Sequence, residues 1–473
     1  MPGPAAAVPR NVCARYFRLK HDALAITSSP NKLHRMRSKE RHNDSVSENT
    51  TMNTIEFENN GKQSQSSLGE NLSRDRLCDL IRYVFSPSAD DKVLTILFDL
   101  PHASGEDNPD WRERRLIASQ WHQMLREACE AGSSIETQLY AYVNVGRHNA
   151  DLPNECYLLE EAPVGIDAEN VAKLGRLLSL DDVLGGSQMV IALTEYSATA
   201  PLTMKTRRPE DSLNFRAASM PGFSLKMVPS LAIDQNEMSK RVGEMKRRLD
   251  AADLATIEFS VKEPELIYRV EIDLRQVRTR EAQAGIARAT EPGAYNVPGG
   301  EAFIVPYEGV PDNSSRPEPS RTAGEIPVQF DPNEPPLIFT ILENRAVAVR
   351  IHGVPLNERS STGDAVRAAL RREQEAKISL EKEPAEWNIA ELGLGVLNMF
   401  GITPMGTTLL DEKCGPHIAF GRSDHLGGAI KASRHIDHVY LPSMQPAIVM
   451  ERLELHYRDG QREEIVRHGN YLI

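Results

Sequence analysis

Short apolar runs alternate with amphipathic segments between residues 74 and 256. The runs cover residues 92–100, 137–145 and 188–193 and are bounded by turn residues, as is typical of buried parallel strands. Helical spacing and capping residues predict helices over residues 108–132, 167–178 and 237–255. This alternation of strand and helix predicts an α/β N-terminal domain with a doubly wound sheet over residues 74–256.

The pattern changes at residue 257, where strand-like segments become more frequent. Strands are predicted over residues 265–274, 337–341, 346–351 and 447–457, and a charged helix over residues 359–382. Proline and glycine cluster between residues 291 and 336, which predicts turns and loops there. We therefore expect a β-rich α+β C-terminal domain over residues 257–473.

The first 73 residues differ from the rest of the chain. Residues 1–50 contain nine Lys or Arg against four Asp or Glu, and residues 56–73 are polar with few apolar side chains. No apolar run is long enough for a secretory signal. Residues 1–73 are thus predicted to be a disordered or mis-assigned N-terminal extension. A mitochondrial transit peptide, or a true start at Met52, are the alternatives for residues 1–51.

Composition excludes several classes of function. The chain has 55 basic and 67 acidic residues, a net charge of −12, which argues against a nucleic-acid or anionic-membrane binder. No segment approaches the roughly 18–20 apolar residues of a membrane span, and no nucleotide-binding glycine motif follows a strand. The five cysteines are scattered without a C-x-x-C pair, which predicts a reducing compartment and a cytoplasmic location.

Four short patches of the C-terminal half are rich in Glu, His, Asp and Gly. They lie at residues 296–301, 388–395, 411–421 and 434–439. Glycine lets the backbone approach an ion or substrate without a Cβ in the way. His435 and Asp437 are two residues apart, so on a strand both side chains point to the same face. The candidate ligands are Glu301, Glu391, Glu412, His417, His435 and Asp437.

Four carboxylates and two imidazoles suit divalent ions such as Zn, Mn or Co. Two ions need bridging carboxylates, and a water between them becomes hydroxide near neutral pH, which supports amide hydrolysis. Each patch alone has an ordinary alternative: a hydrogen-bonded pair for His435 and Asp437, a helix cap for Glu391, and an acidic turn for Glu301. The prediction of a two-ion centre therefore depends on all four patches together.

In their order along the chain, the patches resemble the metallo-aminopeptidase family typified by aminopeptidase T and aminopeptidase S, the leucyl aminopeptidase-like enzymes. The resemblance spans residues 218–439 and begins with A-S-M-P-G at residues 218–222. The shared succession that follows is P-x-G-E, a Glu before a glycine-rich strand, D-E-(K/N) with H-x-A-x-G, and H-x-D. The resemblance implies a metallo-aminopeptidase that hydrolyses N-terminal residues from peptides or small amides. It also implies that the six candidates are metal ligands and, by analogy, that the enzyme is a homodimer.

The chain departs from this family at Asp424, where the family has a tyrosine seven residues after the histidine of the third motif. A phenol can stabilise an oxyanion, whereas a carboxylate can do so only when protonated. The transition-state role of this position, and peptidase activity with it, is thereby in question. Asp424 and His425 are the candidates for a catalytic role. For His425 and for His438, a supporting or solvent-exposed role is the alternative to proton donation.

Two other functions fit the same fold. A ring-cleaving dioxygenase of dihydroxypyridine with mononuclear Fe(II) resembles it, but uses two histidines and one carboxylate and predicts a histidine in place of Glu391. A non-catalytic metal-binding relative is the third class. Six intact ligand candidates favour the hydrolase.

Overall fold

A computed structural model of the chain describes residues 71–130, 135–163, 165–207, 212–275, 282–309, 318–354 and 363–472. Of the predicted N-terminal extension over residues 1–73, residues 1–70 lie outside this described part. The helices are α1 (Arg74–Phe85), α2 (Pro109–Glu130), α3 (Val171–Leu174), α4 (Leu180–Gly186), α5 (Thr199–Thr206), α6 (Val228–Leu231), α7 (Gln235–Ala251), α8 (Asp364–Lys382) and α9 (Thr408–Asp411).

Twenty strands occur in the described residues, and they form three sheets. They are β1 (Val93–Leu100), β2 (Glu136–Val143), β3 (Glu155–Leu159), β4 (Arg176–Ser179), β5 (Met189–Leu193), β6 (Arg216–Ser219), β7 (Ala252–Val261), β8 (Leu266–Asp273), β9 (Gln283–Gly285), β10 (Gly293–Asn296), β11 (Glu301–Ile304), β12 (Ala323–Val328), β13 (Leu337–Leu342), β14 (Arg345–Ile351), β15 (Ile389–Gly395), β16 (Pro416–Gly421), β17 (His435–Val439), β18 (Ile448–Tyr457), β19 (Arg462–Arg467) and β20 (Asn470–Tyr471).

The first sheet has the strand order β10-β6-β5-β1-β2-β3-β4, and β10, β6, β5, β1 and β2 run parallel to one another. Its central strands β1 and β5 are buried on both faces. Phe98 of β1 belongs to the same core as Trp121 of α2, whereas Leu97 belongs to a second core with Leu184 of α4 and Leu202 of α5. This two-sided burial explains why β1 is a continuous apolar run rather than an alternating one. The predicted mixed α/β architecture is confirmed.

The helix predicted over residues 167–178 is wrong for most of its length. Only Val171–Leu174 is helical, and Arg176–Ser179 forms β4, which pairs antiparallel with β3. The close approach at Gly175 makes this possible, because a Cβ there would lie 2.8 Å from Cδ2 of Leu159 and 2.9 Å from the carbonyl oxygen of Leu158. Pairing with β3 thus overrides the local helical pattern.

Two antiparallel sheets follow. The larger has the order β14-β13-β12-β8-β7-β18-β19-β20 and includes the predicted β13–β14 hairpin; the smaller has the order β17-β16-β15-β11-β9. One face of the smaller sheet is apolar and meets the larger sheet, where Phe420 of β16 lies 5.5 Å from Phe339 of β13 between ring centroids. The other face is therefore the one available for polar side chains.

A short connection joins the first sheet to the smaller, five-stranded sheet. β10 adds a parallel edge strand to the first sheet, and five residues later Glu301 begins β11 of the five-stranded sheet.

The predicted boundary between two domains at residue 257 stays a prediction. None of the helices in the described ranges has the length and apolar character needed to span a membrane.

Candidate metal centre

Five of the six predicted ligands share one face of the five-stranded sheet. The register pairs Glu301 with Gly395, His417 with Gly393, His435 with Gly421, and both Glu391 and Asp437 with Ala419. Directly opposed residues of neighbouring strands point to the same face of a sheet. The ligand candidates therefore alternate with glycine and alanine, and the small residues form a floor that leaves space above the sheet.

The first group of ligand atoms comes from Glu301, Glu391 and His417. Nε2 of His417 lies 3.1 Å from Oε1 of Glu391 and 3.7 Å from Oε2 of Glu301. Nδ1–H of the same ring donates to the carbonyl oxygen of Gly415 at 3.1 Å, which directs Nε2 toward the carboxylates. All three side chains are buried, and their ligand atoms lie within 4.8 Å of one another.

The second group comes from Glu391, His435 and Asp437. Nε2 of His435 lies 3.3 Å from Oε2 of Glu391 and 3.3 Å from Oδ1 of Asp437. Its Nδ1–H donates to the carbonyl oxygen of Arg422 at 2.7 Å, so this ring is oriented in the same way as that of His417. These ligand atoms also lie within 4.8 Å of one another. Glu391 thus belongs to both groups and gives one oxygen to each.

Two of the three carboxylates in these groups have oxygens that the protein leaves without a hydrogen bond. Oε2 of Glu301 and both oxygens of Asp437 are buried and have no hydrogen-bond partner among the described residues. Burying unpaired charged oxygens is costly unless a cation compensates them. The oxygen and imidazole donors also match Zn, Mn or Co. The residues present therefore fit divalent metal ions.

Glu412 belongs to neither group. It begins the short 3-10 helix Glu412–Cys414 and forms an ion pair with Lys413, whose Nζ also lies 3.2 Å from Oε1 of Glu301. Burial raises the pKa of Glu412 well above its usual value, and the negative charges of Glu301 and Asp437 raise it further against the opposing effect of Lys413. Glu412 lies at the edge of the centre rather than within either triad.

Lys413 is the functional-site residue that sequence reasoning missed. Its side chain is fully buried, and its ammonium group bridges Glu301 and Glu412. Burial would lower the pKa of Lys413, but the two carboxylates raise it, so the side chain is charged. The sequence feature that could have identified Lys413 is its position inside the third patch, next to Glu412.

The imidazoles neutralise much of the remaining negative charge. Burial alone would lower the pKa of His417, but Glu391, Asp437 and Glu301 raise it to about 10. The pKa of His435 is also well above its usual value, because Asp437 and Glu391 outweigh the effect of burial. Burial raises the pKa of Glu391, but hydrogen bonds with the two histidines leave it lower than usual. Without a metal ion, the positive charges of Lys413 and the imidazoles thus offset part of the negative charge of the carboxylates.

The other candidates have different surroundings. Asp424 forms a two-point ion pair with Arg422, which lowers the pKa of Asp424, so its carboxylate is not a proton donor in the manner of a phenol. The His425 ring is exposed and lies edge-on to that of His435, with 5.0 Å between ring centroids. His438 lies on the opposite side of β17, 5.7 Å from Phe420 between centroids. A catalytic role for Asp424 or His425 stays a prediction.

A cavity of about 330 Å³ adjoins the centre along β17. The residues that line it include Gly406, Glu412, His435, Asp437, Val439 and Met444. Two of the ligand candidates from the second group therefore face a space that a small molecule or a chain end can enter. The first group lies deeper.

Gly393→Ala is expected to lower zinc affinity about 10- to 100-fold, the range for changes that misorient a ligating histidine. A Cβ at this position would lie 2.0 Å from Nε2 of His417, so the imidazole must move away. Calorimetric titration of chelator-treated protein with Zn²⁺ measures the change. Gly243→Ala is the control, because a Cβ at Gly243 meets no atom within 4 Å. Unchanged affinity in a folded Gly393→Ala protein would show that His417 is not a ligand.

Comparisons with known proteins show a distant structural similarity. No family model matches the chain, and no curated protein matches it. Among solved structures, the chain is similar to wild-type AmpT from Thermus thermophilus, with 14% sequence identity and a TM-score of 0.45 over 85% of this chain and 100% of that chain. A similarity this distant carries no argument about activity.

Proposed function

We propose that this chain is a metal-dependent aminopeptidase that hydrolyses N-terminal residues from peptides or related small amides, with two divalent ions held by the six ligand candidates. One observation carries the proposal. Glu391 directs Oε1 to His417 and Oε2 to His435, so a single carboxylate is shared by two separate groups of ligand atoms. A carboxylate shared in this way is what a pair of ions requires, whereas a single ion requires only one of the two groups.

The roles of the side chains follow from their grouping. Glu301 and His417 would hold one ion, His435 and Asp437 the other, and Glu391 both. Glu412 is the sixth candidate ligand, since it lines the cavity and shares the Lys413 ammonium with Glu301. When bound, such ions supply Lewis acidity toward a carbonyl oxygen and lower the pKa of a water molecule toward neutrality.

The size of the cavity favours a small substrate. Its volume of about 330 Å³ is near the lower end of the ~300–1,000 Å³ range of small-molecule sites. A space of this size accepts the end of a peptide or a small amide rather than an internal segment of a folded protein. Because the cavity adjoins His435 and Asp437, the bond to be cleaved would enter from the side of the second group.

Removing and restoring metal tests the proposal. We expect chelator-stripped protein to lose hydrolysis of aminoacyl chromogenic substrates and to regain it with Zn, Mn or Co, with two ions per chain by elemental analysis. Matched samples with Mg²⁺ control for ionic strength. No gain in rate with any of the three metals would refute the aminopeptidase proposal. Oxygen uptake with Fe(II) and a dihydroxypyridine would instead support the dioxygenase function.

A further inference from the structure

β17 is an edge strand whose only strand partner among the described residues is β16. The hydrogen bonds flanking this pair fix which backbone groups are used. Arg422 N–H donates to the carbonyl oxygen of Arg434 at 2.7 Å, and Tyr440 N–H donates to that of Pro416 at 2.9 Å. In an antiparallel pair, hydrogen-bonded positions alternate along each strand. The even-numbered residues of β17 therefore bond to β16.

The odd-numbered residues, His435, Asp437 and Val439, consequently direct their N–H and C=O groups away from β16. The carbonyl oxygen of Val439 confirms this direction, because it accepts a hydrogen bond at 2.9 Å from the Nε2 amide of Gln445, which lies outside the sheet. The outer edge thus presents a row of backbone donors and acceptors at His435 and Asp437, and a donor at Val439. These same three residues line the cavity beside the metal centre.

We propose that this edge binds the main chain of an extended peptide substrate, which adds a sixth strand to the sheet beside β17. The inference rests on the proposed aminopeptidase function and identifies its substrates as linear oligopeptides. An unpaired edge is a template for an added strand, and strand addition is an established mode of peptide binding. It uses backbone groups that every peptide has, so binding does not depend on substrate side-chain chemistry.

The position of the edge makes it suitable for delivering a peptide end. His435 and Asp437 direct their side chains to the centre and their backbone groups to the edge, so one strand serves both tasks. Successive outward groups along a strand are about 6.6 Å apart, the rise of two residues. An added strand therefore needs at least two residues of the same parity, which a tetrapeptide supplies and an aminoacyl amide does not.

Backbone-modified peptides test this inference. The probes are a leucine amide, a linear tetrapeptide beginning with leucine, and tetrapeptides carrying one N-methyl group at each peptide nitrogen beyond the scissile bond. We expect kcat/KM for the tetrapeptide to exceed that for the amide about tenfold or more, since two or three hydrogen bonds are added. N-methylation at the nitrogen facing β17 should abolish most of this gain through KM, whereas the neighbouring nitrogen should tolerate it.

The outcomes separate the two proposals. Equal kcat/KM for the amide and for every tetrapeptide would overturn binding at the edge while leaving the aminopeptidase intact. Absence of all hydrolysis would overturn the aminopeptidase itself, and with it the inference. If the edge instead pairs with a second copy of this chain, N-methylation has no effect and sedimentation gives a dimer.

Discussion

Glu391→Gln is expected to remove metal from both halves of the centre and to lower kcat/KM by at least about 100- to 1,000-fold, the range for losing one preorganised electrostatic group. Gln has the same shape as Glu, so the strand and its neighbours stay in place. It has no negative charge, however, and one of its two terminal atoms is an amide nitrogen that cannot bind a cation. Because Glu391 belongs to both groups, neither group retains its full ligand set.

Elemental analysis after dialysis and steady-state rates with an aminoacyl chromogenic substrate measure these losses together. Glu258→Gln is the control, since Glu258 pairs with Arg452 on the eight-stranded sheet and is remote in sequence from all four patches. It should keep both metal content and rate. If Glu391→Gln lost one ion but kept the second at full occupancy, Glu391 would be an ordinary ligand of a single ion. Full retention of both would refute bridging altogether.

Those features of the centre that depend on residues close together in the chain could be predicted from the sequence. The spacing of His435 and Asp437 predicts that both side chains lie on one face of a strand. In the structure both residues belong to β17, and their side chains contact each other. The glycines of the second patch likewise indicated a close approach, and Gly393 lies directly beneath the imidazole of His417. The two-residue period of a strand predicts the first feature, and the absence of a side chain on glycine predicts the second.

The convergence of the patches could not be derived from local patterns. It depends on the strand order β17-β16-β15-β11, which pairs segments that are far apart in the chain. The burial of Lys413 could not be derived from local sequence patterns either. Next to Glu412 in the sequence it has the pattern of a solvent-exposed charge pair, and its burial arises because the 3-10 helix packs on Gly395, where a Cβ would lie 2.4 Å from the carbonyl oxygen of Glu412.

Lys413→Met is expected to lower the free energy of unfolding of the metal-free protein by about 3–5 kcal/mol, the usual cost of removing one partner from a buried group of charges. Met fills a similar volume, so the loss is electrostatic rather than a cavity. It leaves Glu301 and Glu412 without the ammonium that lies between them, close to the buried negative charge of Asp437.

Adding Zn²⁺ should reverse much of this loss, because divalent cations supply the positive charge that Lys413 no longer provides. Metal binds the folded state only, so the added stability grows with metal affinity. Denaturant unfolding with and without Zn²⁺ should thus give a larger metal-dependent gain in Lys413→Met than in the unchanged protein. Lys431→Met is the control, since Lys431 is exposed and should change stability by less than about 0.5 kcal/mol. An equal gain from Zn²⁺ in all three proteins would show that the Lys413 ammonium and the metal ions do not compensate the same carboxylates.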